Sequence, residues 1–343
     1  ESKGGKVNVI NTGNIYSFGH NSTPLQIDGI GGGGGDAAKG YGKLALGSKN
    51  STGDQRSKRS ELNNKGFLYS ANNYSPALIH QSLGGGGGSV IDGQNHAQLG
   101  SQYGSGLQST GELIFNNQGS AITEGANSPG VFVQAIGGGG GRVTRMDGTA
   151  QLGSHHSKQL GVFSSGRIQL NNNAKTIRTA GQLSPTLVSQ SIGGGGGWIG
   201  IAQGDLSLGA VNADGDLSAG SIQIQNDAEL RSEGDGSVGL MSQTIGGGGG
   251  YSAYAKGELK LGSLTSKGNL SAGKIDFKNT GSVFTLNDNS PVIISTNIGG
   301  GGGFIGGTNH AKTKGEGDIR LGSLNSEGNQ SSKSNKITNT GYL

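Results

Sequence analysis

A run of five glycines recurs six times in this chain, beginning at Gly31, Gly84, Gly137, Gly193, Gly246 and Gly299, with starts 53, 53, 56, 53 and 53 residues apart. Random low complexity does not hold such a register, so each run marks the same point of a repeated structural unit. Other landmarks keep the phase. The residue before every run is Ile or Leu (Ile30, Leu83, Ile136, Ile192, Ile245, Ile298), as a stacked core position requires. Twenty residues before each run stands an Asn (Asn11, Asn64, Asn117, Asn173, Asn226, Asn279), and Asn339 follows at the same phase. A Leu-Gly pair lies sixteen residues after each of the first five run starts. In the sixth repeat the pair is Leu321-Gly322, at an offset of 23, and the seven extra residues around HAKTKGEGD read as a tolerated loop. Pro24, Pro76, Pro129, Pro185 and Pro291 share one phase, each after Ser or Thr, which reads as a turn feeding a short strand.

Composition alone would argue against a fold. Of 343 residues 73 are Gly and 5 Pro, and only 30% are hydrophobic, too little apolar surface to offset the ordering entropy of so flexible a backbone. The periodicity overrides that reading. Between the landmarks, KIDF, RIQL, SIQI and KVNV alternate with period two, as do GELKLG, GDLSLG and GDIRLG, and no stretch carries a helical period. Short strands of this kind bury their apolar side only by stacking.

The expected fold is therefore all-β, a parallel β-solenoid (β-helix) of about six 53-residue repeats forming one continuous unit over 1–343. Counting strands favours two coils per repeat; counting landmarks suits three thinner ones. In either, equivalent residues stack about 4.8 Å apart or at a multiple of it, so Ile meets Ile and Asn meets Asn. The glycine segments 31–35, 84–88, 137–141, 193–197, 246–250 and 299–303 are expected to be ordered, because five glycines per repeat are retained only where side chains do not fit or unusual dihedrals are needed. Polyproline-II-like rods are the conformation expected. Directly after the last three runs come Trp198, Tyr251 and Phe304, an aromatic ladder that is either a carbohydrate-stacking strip or, the preferred reading, a seam beside the glycines.

The units QSLGGGGG (81–88), QSIGGGGG (190–197) and SQTIGGGGG (242–250), preceded by NTGS- or NNQGS-like strand starts, resemble the glycine-rich repeats in passenger regions of large bacterial autotransporter adhesins. The resemblance covers the whole chain. It implies a β-helical, surface-exposed stalk or adhesin exported through a C-terminal barrel, and no such barrel is in this sequence.

Chemical motifs are sparse. Lys plus Arg number 26 and Asp plus Glu 22, scattered, which gives no footprint for nucleic acid; Arg56, Lys58 and Arg59 sit in a polar stretch and read as a solvated loop. There is no Cys, hence no disulfide or thiolate site. No apolar run approaches the roughly 18 residues of a membrane helix, and ESKGGKVNVI lacks the apolar core of a signal peptide, so a secretion address is expected outside this sequence. GGGGGD (31–36) matches a calcium nonapeptide pattern once in six runs and is set aside. His155-His156, His96 and His310 read as surface histidines, and Asp214 and Asp216 as turn residues. No cofactor or metal is expected, and no catalysis. The leading expectation is a structural fibre or stalk, extracellular or on a bacterial surface, continuing end to end into a longer chain or filament. The alternative is an adhesin gripping glycans or a surface through a repetitive face.

Overall fold

In the computed structural model, which describes residues 2–156, 162–307 and 319–343, the chain is an all-β parallel solenoid with no helix among the described residues. Every sheet is built by pairing one strand with its counterpart in the next repeat: Leu78↔Val131, Leu113↔Ser60 and Gly87↔Gly140 stand one 53-residue period apart. One repeat is thus a single coil, not two or three. The coil carries seven strands, labelled here by position in the third coil: β1 (Leu113–Asn117), β2 (Ala121–Thr123), β3 (Val131–Ile136), β4 (Gly140–Met146), β5 (Thr149–Leu152), β6 (His155–His156) and β7 (Phe163–Ser164). Their seven parallel sheets contain five to seven strands each.

Seven strands fit into one turn because the coil folds back through its own interior. All six residues of β3 are buried in each of the coils from the second to the fifth, so both faces of that sheet are covered. One face meets β1 and β2 across the largest core, which holds Leu62, Phe115, Leu170, Ile224 and Phe277 from β1 and Leu78, Val131, Leu187 and Leu240 from β3. The other face meets β4, and the opposite face of β4 (Val90, Val143, Ile199) packs on β5 (Leu99, Leu152, Leu208, Leu261). The cross-section is layered: β1 and β2, then β3, then β4, then β5. The strand count from sequence went astray because a chain that doubles back inside a coil uses strands faster than an open, three-sided turn.

The glycine run is the arch between β3 and β4. Its conformation is not polyproline II, since the last three glycines of each of the first five runs have positive φ, for example 88°, 143° and 147° at Gly195, Gly196 and Gly197. Each glycine is needed for its own reason. A Cβ on Gly84 would stand 2.7 Å from the backbone of Ser109 in β7. On Gly86 it would stand 2.9 Å from the Cα of Gly47, the Leu-Gly glycine one coil below. On Gly87 and Gly88 it would fall on the carbonyl oxygens of Gly140 and Gly35 in the adjoining coils. The arch is thereby wedged between β7 and the Leu-Gly corner. Across that wedge the N–H of Ser101 donates to the Gly85 carbonyl (2.6 Å) and that of Ser154 to Gly138 (2.6 Å), bonds that fix the sixteen-residue offset. The serines before the prolines form their own stack: the Ser75 N–H donates to Ser128 Oγ (2.9 Å), and Ser128 N–H to Ser184 Oγ (2.9 Å). Most of the seven-residue insertion of the last repeat, with His310, lies outside the described residues.

Candidate functional site

Three ladders run the length of the solenoid. The Ile/Leu ladder is a separate core in which Leu83, Ile136, Ile192 and Ile245 are fully buried and Ile30 and Ile298 cap them, as expected. The Asn ladder closes the end of β1. Asn11 Nδ2 donates to Asn64 Oδ1, Asn64 to Asn117, Asn117 to Asn172, Asn172 to Asn226, Asn226 to Asn279 and Asn279 to Asn339, at 2.7–2.8 Å throughout. The member in the fourth repeat is Asn172, not Asn173, which is exposed in the following turn. The reason is how the three extra residues of that repeat divide: two enter before Phe163 and one after Asn172, so counting back from the glycines lands one residue late. The second amide hydrogen serves the turn, from Asn64 to the Gly66 carbonyl (3.2 Å) and from Asn226 to Ala228 (3.0 Å), so both donor hydrogens of these two buried amides are used.

The third ladder fills the seam between β3 and β4. On the β3 side Gln134 Nε2 donates to Gln81 (2.6 Å) and Gln190 Nε2 to Gln243 (2.8 Å), which leaves the Gln134 and Gln190 carbonyl oxygens unpartnered at the middle of the stack. On the β4 side, Asp36, Ser89, Arg142, Trp198, Tyr251 and Phe304 follow one another in register. Trp198 and Tyr251 are buried and Phe304 is half-buried, with the Tyr251 and Phe304 rings stacked at 5.7 Å, so this aromatic ladder is a structural seam and not a sugar-facing strip. Below it, fully buried Arg142 places its guanidinium 5.1 Å from the Trp198 ring and donates to Thr23 Oγ1 (2.9 Å), Gln26 Oε1 (3.2 Å) and the Tyr74 carbonyl (3.2 Å). Burial pulls its pKa down to about 10, partly opposed by Asp28 and Asp36. Burial pushes Asp28 up to about 6, against the hydrogen bond from Gln26. On the other face of β3, His80 is held to Ser60 (2.7 Å) and pushed down to about 3 by burial.

The outer surface shows what sequence reading missed. A second row of amides rides outside the first: Asn116 Nδ2 donates to Asn63 Oδ1 and Asn171 Nδ2 to Asn116 Oδ1, both at 2.8 Å. This row edges a groove of about 340 Å³ lined by Asn63, Asn116, Asn117, Gln118, Asn171, Asn173 and Gln225. Around the corner, on the outer face of β2 in the first two coils, Tyr16, Phe18, Phe67 and Tyr69 form a ring cluster with centroids 5.7–6.4 Å apart. Tyr16 and Phe18 are more than half exposed. The signal in the sequence is a pair of aromatics at one phase, Tyr16 and Tyr69, too short a series to stand out beside the six-fold landmarks. Further along the same face Arg178 pairs with Glu124 (2.9 Å) and Glu233 (2.6 Å).

The remaining sequence candidates stay apart. His96 bonds Thr149 (2.7 Å), and its pKa is lowered by burial and by Lys43. His155 lies against the Tyr103 ring at 5.4 Å, while the side chain of His156 is outside the described structure. Asp216 accepts from the Asn269 N–H (2.8 Å), as a turn residue does. Among the described residues no group of three or more His, Asp or Glu side chains is placed to hold a metal ion. No family model, no curated protein and no solved structure matches this chain.

Proposed function

We propose that this chain is a structural element of an extracellular fibre or stalk at a bacterial surface, without catalytic activity, whose solenoid continues end to end into further coils of the same polypeptide or of another copy. The observation that carries this reading is the direction of the Asn ladder. Every Nδ2 donates toward the next coil, so at one end Asn11 presents an acceptor whose contact within this chain is the Gly13 N–H at 3.3 Å. At the other, Asn339 has donated to Gly341 (3.0 Å) and keeps one amide hydrogen. A further coil set head to tail joins these two groups, and the open strand edges beside them (Val7–Asn11 and Asn335–Asn339) pair in the same parallel sense. Such a contact does not close on itself, and it propagates a fibre. The stalk and autotransporter resemblance of the glycine units agrees with it.

Electron microscopy and sedimentation of material carrying this segment test the proposal. Rods or filaments longer than six coils support it. A monodisperse 34.3 kDa monomer with both terminal edges uncovered overturns it.

A further inference from the structure

The amide-lined groove is unusual in its chemistry: all seven side chains lining it are carboxamides, and none is charged. A carboxamide offers a donor and an acceptor without net charge, the pairing that a hydroxyl also makes. A groove built from nothing else recognises a neutral, hydroxyl-rich ligand and gives no counter-charge to an anionic or cationic one. Charged residues of both signs stand at its ends: Asn63 Nδ2 donates to Glu61 (3.4 Å), Gln225 Nε2 donates to Asp227 (3.0 Å), Lys278 follows Gln225 in register, and exposed Lys65 takes the place of Gln118 one coil earlier.

Part of the site is already rigid. Asn117 at the floor belongs to the buried ladder, and Asn116 and Asn171 are tied to each other, so these amides lose little freedom on binding. Gln118 and Asn173 are exposed, make no side-chain hydrogen bond among the described residues, and project from the turn after β1. One coil below Gln118 that same turn leads into Phe67 and Tyr69, which open the ring cluster with Tyr16 and Phe18. Aromatic faces take the C–H faces of sugar rings, burying apolar area while the hydroxyls stay at the rim. Amides repeating about every 4.8 Å beside such rings suit an extended ligand with regularly spaced hydroxyls.

We infer that the groove and the ring cluster form one binding surface for a neutral linear oligosaccharide. A sugar ring stacks on Tyr69 and Phe67, and the next residues of the glycan hydrogen-bond to Gln118, Asn173 and the outer Asn row. This surface lies on the flank of the solenoid and is independent of end-to-end continuation.

The test is a glycan array carrying neutral and acidic oligosaccharides, followed by calorimetric titration of the 343-residue chain with the best neutral probe; cellohexaose and hexagalacturonate are the reference pair. Binding is expected for neutral chains only. Tyr69→Ala, and the double variant Gln118→Ala with Asn173→Ala, should each weaken it at least tenfold. Because these positions lie on the surface, an unchanged melting temperature shows that the loss is local. Retention of no neutral glycan on the array, preference for hexagalacturonate, or wild-type affinity in the folded variants would each overturn the inference.

Discussion

The seam between β3 and β4 is filled in two ways within one molecule. On its β4 side it holds Asp36, Ser89 and buried Arg142 in the first three coils and Trp198, Tyr251 and Phe304 in the last three, while on its β3 side Asp28 of the first coil gives way to a glutamine row that runs on through both halves. The backbone register is the same in both halves, with the same glycine arch and the same strand pairing. The repeat therefore fixes the walls and leaves the filling free. The two fillings differ energetically. An aromatic stack gains from burial and ring contacts, whereas buried charge and amide groups must first recover their lost hydration. The C-terminal half of the seam should thus be the firmer one, and the N-terminal half the one that responds to pH.

The largest test is Trp198→Ala, which opens a cavity at the start of the aromatic stack and should cost about 3–5 kcal/mol in denaturant unfolding. A loss under about 1 kcal/mol would mean that the aromatic half is not the firmer one. Next is Asp28→Asn. With its native pKa raised to about 6 from 3.8, Asp28 holds a proton in the folded state that the unfolded chain has released. Its contribution is present below pH 4 and lost as pH rises to about 6, by at most about 3 kcal/mol. His80, depressed to about 3 from 6.5, has the opposite slope over that window, contributing above pH 6.5 and losing its contribution as pH falls. The two nearly cancel in the wild type. Asp28→Asn should unmask a stability that rises relative to wild type by about 1.4 kcal/mol per unit between pH 4 and 6. Parallel pH profiles for the two proteins would show that Asp28 does not hold its proton.

Outside the seam the halves should not differ. Asn64→Asp and Asn226→Asp each put a carboxylate into the buried ladder and should each cost about 1–3 kcal/mol, while Asn173→Asp, one residue off the ladder, should change stability by less than about 0.5 kcal/mol. Unequal ladder losses would extend the asymmetry beyond the seam. A small effect is also expected within the seam for Arg142→Met, which keeps the packing and removes the buried charge, and should stay within about 1 kcal/mol of wild type by thermal or denaturant unfolding. A loss matching that of Trp198→Ala would show that the cation is as firm a filler as the ring.

Much of this was legible in the sequence. Parallel stacking places equal residues on one another, so the period alone revealed the Ile/Leu ladder and all the Asn positions but one. Asn172 escaped because a split insertion is invisible to counting from one landmark. The coil number escaped because the sequence shows strand lengths but not the fold-back of β3 onto β4. The ordered state of the glycines followed from their entropy cost; their positive φ did not, because contact with neighbouring carbonyls exists only after stacking. The groove could not be read because Asn63, Asn116 and Asn171 repeat outward in three coils only, a shorter series than the buried row it accompanies.

One coil per repeat also sets how the chain reaches its fold. With every sheet pairing about 53 residues apart, no strand finds a partner until a whole turn has been closed, at a chain-entropy cost of about 3.5 kcal/mol beyond a constant. Nothing local repays that cost, since the strands are short and there is no helix among the described residues. The first two coils must therefore form together, slowly, as a nucleus, and each later coil adds to a finished template. Refolding should show a long lag that disappears when a preformed coil is offered as seed, the kinetics of a growing edge rather than of a collapsing globule.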